Sequence, residues 1–225
     1  MKTNDGMTPL SAASGRGHTE AVRILLERNA DPDIQSGQGF TALHMASEEG
    51  YTEIVRLLLD KNANINTKAN VGSTALMYAS RNGRSETVSL LLEKGANANI
   101  QSTDGFTALY VAVQNGHLDI VNMLLKKVNN IDLQINDGFN PLLLASQKGY
   151  TEIVEILLNN GARTDLQNNE GATALIIAAA YGFTPIVKLL LIKGANPSLK
   201  TNDGRLAVDL ALNEEIKNMI LAKAK

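Results

Sequence analysis

The sequence predicts an all-α repeat solenoid, a stack of helix-turn-helix units joined by β-hairpin-type loops and presenting one concave face. Three observations lead there. Glycines recur every 33 residues at Gly6, Gly39, Gly72, Gly105, Gly138, Gly171 and Gly204, and a fixed period of this length marks a stacked array. A second glycine set, Gly17, Gly50, Gly83, Gly116, Gly149 and Gly182, keeps the same period. Finally, 44% of the residues are hydrophobic but only 4% aromatic, with no tryptophan, which suits a core of aliphatic side chains between stacked helices.

Within each period the elements follow in order. A short helix opens after the first glycine. Thr8, Thr41, Thr74, Thr107 and Thr173 stand at its expected N-cap, where a hydroxyl accepts an otherwise unpaired backbone N–H. Pro9 and Pro141 fall at the next position, where the missing N–H costs nothing. The second glycine then gives a tight turn into a longer helix. That helix carries an acid in its first turn, at Glu20, Glu53, Glu86, Asp119 and Glu152, where the macrodipole favours negative charge. Its buried face is written by three columns at i, i+3 and i+4: Val22, Leu25 and Leu26 in the first unit, repeated through Val187, Leu190 and Leu191 in the sixth. Asn29, Asn62, Gly95, Gly161 and Gly194 end it, the residues that tolerate a left-handed cap. A polar stretch such as Gln101-Ser102-Thr103-Asp104-Gly105 closes the unit with turn chemistry.

These residues resemble ankyrin repeats. Gly6-Met7-Thr8-Pro9-Leu10 and Gly39-Phe40-Thr41-Ala42-Leu43-His44 match the opening motif of that family, and Leu91-Leu92-Glu93-Lys94-Gly95-Ala96-Asn97 matches its close. The chain is expected to be a single domain, 1–225, in seven units of about 1–33, 34–66, 67–99, 100–132, 133–165, 166–198 and a shortened, cap-like 199–225. In that last unit Lys217 takes the valine column if three residues are deleted before it, and Lys223 and Lys225 add charge. The first unit keeps Leu10, Ala13, Val22, Leu25 and Leu26 with no polar replacement, so an array continuing upstream of Met1 is expected. Two departures stand out. Val128-Asn129 replaces Gly-Ala at the fourth helix exit; a β-branched residue resists the left-handed cap, so this exit is expected to close differently. Pro185 sits in the first turn of the sixth long helix, which should survive it.

Composition excludes several function classes. Lys plus Arg is 21 and Asp plus Glu 23, a net charge of −2, so no global field attracts a nucleic-acid backbone. The absence of cysteine removes disulfides, thiolate metal sites and cysteine nucleophiles. The longest apolar stretch, Ala174 to Tyr181, is too short to span a bilayer, and with no signal-type leader the reading is an intracellular, cytoplasmic or nuclear monomer. Of the histidines, His18 and His117 share a column with Tyr51, Arg84, Tyr150 and Phe183, a surface or structural place. His44 lies in the opening motif, where the resemblance implies a hydrogen bond within the scaffold. No triad forms around any of them. Asp132-Leu133-Gln134-Ile135-Asn136 lacks the glycine and glutamate of a calcium loop. No enzymatic activity, cofactor or metal is expected.

Binding is the expected function, by a preformed concave surface that takes a protein or peptide. The column after the first glycine reads Met7, Phe40, Ser73, Phe106, Phe139, Ala172 and Arg205, and holds three of the four phenylalanines; the resemblance puts it on the hairpin fingers. Phe40, Phe106 and Phe139 are the expected apolar anchors. The residues before the second glycine run from acidic Glu48-Glu49 through Arg81-Asn82, Gln114-Asn115 and Gln147-Lys148 to Ala180-Tyr181, a polarity that would orient a partner. Tyr78 and Tyr110 are expected to border the groove. The resemblance also implies a modification, since asparaginyl hydroxylation acts on the inter-repeat hairpin of such arrays; Asn66 and Asn99 occupy that column. Two other readings remain open, a structural or elastic segment of a longer repeat protein and an engineered binding scaffold.

Overall fold

The computed structural model describes residues 5–223; Met1 and Lys225, on which the expected ends bear, lie outside them. The described residues form thirteen helices, and the contacts sort them into two compact units, Met1–Asn129 and Asn130–Lys225. In the first unit, short helices α1 (Pro9–Gly15), α3 (Ala42–Glu49), α5 (Ala75–Arg81) and α7 (Ala108–Gln114) stack in one layer. The longer α2 (Thr19–Glu27), α4 (Thr52–Asp60), α6 (Ser85–Glu93) and α8 (Leu118–Leu125) stack in a second. In the second unit α9 (Pro141–Lys148) packs on α11 (Ala174–Tyr181), α10 (Thr151–Asn159) on α12 (Thr184–Ile192), and α12 on α13 (Glu214–Lys223). Each short helix packs on the longer helix that follows it.

The local chemistry of each helix is the one its sequence calls for. Thr8, Thr41, Thr74, Thr107, Asn140 and Thr173 occupy the N-caps of the short helices, all with extended backbone. In α12, Pro185 sits in the first turn and the helix runs its full nine residues. The turn between paired helices needs glycine twice over. Gly50 and Gly149 have φ of 82° and 75°, and a Cβ there would lie 2.7 Å from Arg84 Cδ and 2.7 Å from Phe183 Cζ. The next repeat's side chain is laid directly over the turn.

The long helices leave through left-handed residues, among them Asn62 at φ 61° and Gly95 at φ 90°. That geometry lets the following alanine reach back five residues, as Ala63 N–H does to Leu58 O at 3.1 Å and Ala96 N–H to Leu91 O at 2.9 Å. The fourth exit differs. Helix α8 stops one residue earlier, Lys126 is right-handed, and Val128 N–H bonds only to Leu124 O at 3.0 Å. Asn129 then donates to Asn99 Oδ1 at 2.7 Å, a bond that elsewhere comes from one position later, as from Asn97 to Asn66 Oδ1 at 2.9 Å. Valine's dislike of the left-handed region thus shifts the inter-repeat rung by one residue.

Burial follows the columns. Val22, Val55, Val88, Val121, Val154 and Val187 are fully buried, and so are Leu58, Leu91, Leu124, Leu157 and Leu190. Leu25, in the same leucine column, is only half-buried. It lines an apolar cavity of about 300 Å³ with Pro9, Leu10, Ala30 and Ile34. At the other end α13 buries Ile216 and Ile220 and turns Lys217 and Leu221 outward.

Candidate functional site

The loops between units form fingers bound to one another by side-chain amides. Gln35 Nε2 donates to Gly39 O in its own finger and to Lys68 O in the next, both at 2.9 Å. Lys68, in the glutamine column, donates its Nζ to Gln101 O at 3.0 Å. Asn70 Nδ2 reaches back to Gly37 O at 2.9 Å, beside Asn70 N–H to Gln38 O at 3.1 Å. In the second unit Gln167 Nε2 donates to Lys200 O at 2.9 Å and Asn202 Nδ2 to Asn169 O at 2.8 Å. Within each unit these fingers are therefore tied to their neighbours, and the residues they carry are held before any partner arrives.

The phenylalanine column sits on these fingers. Phe40 is half-buried and its ring lies 5.2 Å from that of Tyr78 and 5.8 Å, edge-on, from His44. Phe106 is likewise half-buried, 5.3 Å from Tyr110. Tyr78 and Tyr110 are buried, so they back the phenylalanines from beneath rather than border an open groove. Phe139, in the second unit, is half-buried beside the buried N-cap Asn140 and helix α9. Ser73 is half-buried, and its carbonyl oxygen accepts from His44 Nε2 at 3.2 Å.

His44 is a structural group. It is 1% exposed, and its Nδ1 accepts the Thr41 N–H at 3.2 Å, so the proton of the neutral ring belongs on Nε2, facing Ser73 O. Burial pushes its pKa down from the ordinary 6.5 to about 4, against the opposing pull of the Ser73 and Thr67 backbone.

The residues before the turn glycine are mostly exposed, and several are tied across repeats. Asn82 Nδ2 and Arg84 Nε both donate to Glu48 O at 3.1 Å. Glu49 lies 3.9 Å from Arg84 Nη2. Arg81 O faces His117 Nε2 at 3.1 Å, and Asn115 Nδ2 donates to Val111 O at 2.8 Å. Gln114 is exposed in the same unit. In the second unit Gln147 is half-buried, Lys148 exposed, and Tyr181 54% exposed with its ring stacked on Phe183 at 6.0 Å. Asn66 and Asn99 are half-buried, and each gives its Oδ1 to a backbone N–H of the following repeat. Among the described residues no three His, Cys, Asp or Glu side chains gather to hold a metal ion, and no helix is long and apolar enough to cross a membrane.

The comparisons with known proteins agree with this architecture. The family model for ankyrin repeats matches in three copies, over residues 1–69, 67–137 and 127–201. The chain is similar to the ankyrin repeat domain of Bcl-3, a crystal structure described as a unique member of the IkappaB protein family. The identity is 29%, the match covers 97% of this chain and 100% of that one, and the TM-score is 0.86. It is also similar to the human ASB11 ankyrin repeat domain, with 27% identity over 96% of this chain and 98% of that one and a TM-score of 0.83. No curated protein sequence matches the chain significantly.

Proposed function

The chain belongs to the ankyrin-repeat family, whose domains serve protein–protein interaction, and we propose that it is a non-enzymatic module taking a protein or peptide on its finger face. The observation that carries this reading is the support beneath Phe40 and Phe106, each half-buried on an aromatic side chain of an inner helix. Apolar anchors fixed in this way lose little freedom on binding, which leaves more of the contact energy as affinity. Glu48, Glu49, Ser73, Arg81, Asn82, Gln114 and Asn115 supply polar register in the first unit. In the second unit Phe139 is the apolar anchor, with Gln147, Lys148 and Tyr181 beside it in the same role as the polar residues of the first. We take the protein as a monomer of seven units in an intracellular compartment, its partner a polypeptide rather than a nucleic acid, in keeping with the net charge of −2. Asn66 and Asn99 are the proposed hydroxylation positions. An unchanged intact mass after exposure to an asparaginyl hydroxylase would remove them.

The test is affinity capture with the wild type and the Phe40→Ser, Phe106→Ser, Phe139→Ser variant, after circular dichroism has shown both folded. A protein retained by the first and lost by the second supports the module. Equal retention moves the site off the fingers. A second reading, a segment of a longer array, is supported by the apolar cavity at Leu25. It expects that fusing one further repeat ahead of the first unit raises Tm, and an unchanged Tm would count against it.

A further inference from the structure

The second unit ends in an apolar ledge that lies apart from the finger phenylalanines and shares only Lys148 and Tyr181 with the face proposed above. Four turn glycines are each covered by one side chain of the next repeat: Gly17 by Tyr51, Gly50 by Arg84, Gly83 by His117, Gly149 by Phe183. At Gly182 the covering group is Leu212, which comes from the irregular segment before α13 and is fixed by its N–H to Ala179 O at 3.0 Å. Leu212 is 67% exposed and Tyr181, the residue before that glycine, 54%. Tyr181 lies parallel to Phe183, at 8° between planes, so one ring face is spent on Phe183 and the rest meets solvent. The turn thus carries the Tyr181–Phe183 pair in its own chain and Leu212 laid over its glycine. An isolated exposed leucine is ordinary, but a rigid aromatic pair beside an exposed leucine is the composition of a contact site.

The charges around the ledge have a direction. Lys148 holds Tyr181's place one repeat earlier, a step on the order of 10 Å; it is exposed and forms no ion pair among the described residues. In the chain that follows the ledge, Glu214 and Glu215 open α13, two and three residues beyond Leu212. Glu214 shares Lys217 at 3.7 Å, and Glu215 has no such partner. The sequence of surfaces is cation, apolar ledge, anion. The first unit shows no such arrangement at Glu49, whose carboxylate is answered by Arg84 of the next repeat.

We propose that this ledge docks a short peptide segment carrying an acidic residue, an aliphatic or aromatic anchor and a basic residue in that order along its contact, the acid meeting Lys148, the anchor seated on Tyr181 and Leu212, and the base meeting Glu215. The inference rests on the binding-module reading but uses none of the finger phenylalanines, so the two can fail separately.

The test uses synthetic fluorescein-labelled peptides and the full chain. One probe has the composition Glu-Glu-Ser-Leu-Trp-Leu-Ser-Lys-Lys; the controls replace both acids by lysine, or both lysines by glutamate. Fluorescence anisotropy is expected to show saturable binding of the first probe and at least fivefold weaker binding of each control. Tyr181→Ser and Leu212→Ser should each weaken the first probe about tenfold. Lys148→Glu should weaken it and strengthen the all-basic control, a reversal that a merely unfolded variant could not produce. Undiminished binding in Tyr181→Ser and Leu212→Ser, or saturable binding of none of the peptides, would overturn the ledge. If the phenylalanine variant still loses its captured protein in either case, the finger-face reading stands alone.

Discussion

Leu25 and Leu91 hold the same place in the 33-residue period and live in different surroundings. Leu91 is fully buried between helices of its own repeat and its neighbours, whereas Leu25 faces the cavity beside Pro9 and Ile34. The column that carries them reads as uniform along the chain, yet the environment is made by the repeat on either side. In a stacked array the stabilisation of a residue is a nearest-neighbour quantity, and a buried position exists only where something lies across it.

The sharpest test of that difference compares two truncations. Leu91→Ala should cost about 2–5 kcal/mol, the range for a large-to-small change in a packed core. Leu25→Ala should cost about 1 kcal/mol, because part of the side chain is already in solvent. Denaturant melts of both variants check this, and equal losses would break the comparison.

The second test uses His44, which the next repeat seals by accepting its Nε2–H at Ser73 O. Its folded pKa is depressed to about 4. The unfolded chain therefore takes the proton first as the pH falls. The stabilisation is complete above about 6.5, is lost on the way down to about 4, and levels off below. The span corresponds to about 3 kcal/mol. His44→Met, which copies Met77 of the next repeat, should remove that much pH dependence between pH 7 and 4 in urea melts.

Covering also carries a cost. Ser14, Ser47, Ser80 and Ser146 are buried with no hydrogen-bond partner for their hydroxyl oxygens, while Val113 and Ala179 stand in the same column. Ser80→Ala should raise stability by about 1 kcal/mol, the desolvation of an unmade bond being removed. Thermal melts would show it as a higher Tm. The smallest effect belongs to Lys217, which is exposed on α13. Lys217→Val restores the column's apolar residue at an exposed position and should change stability by no more than about 0.5 kcal/mol. A gain well beyond that in a denaturant melt would mean that the position is packed.

The fold was legible because its rules are local and repeated. Glycine spacing, threonine caps and the i, i+3, i+4 columns each act within one repeat, and Val128 announced the altered exit by its shape alone. The candidate site was legible only as a row of residue types. That Tyr78 would lie under Phe40 depends on the packing of two helices in successive repeats, and no spacing rule states it. Leu212 was invisible for a different reason. The shortened last unit breaks the period just before it, so no column points from that leucine to Gly182.

The covered turn has a consequence for how such a chain can grow. The glycine beneath the cover is constant, but the cover itself is a phenol, a guanidinium, an imidazole or a benzyl ring, at Tyr51, Arg84, His117 and Phe183. A tandem gene duplication that pasted one unit beside another would meet a joint that already accepts four unrelated chemistries. Lengthening the array by copying therefore demands little compensating change at this joint, and the copies are free to drift apart on the surface while the backbone they share stays as it was.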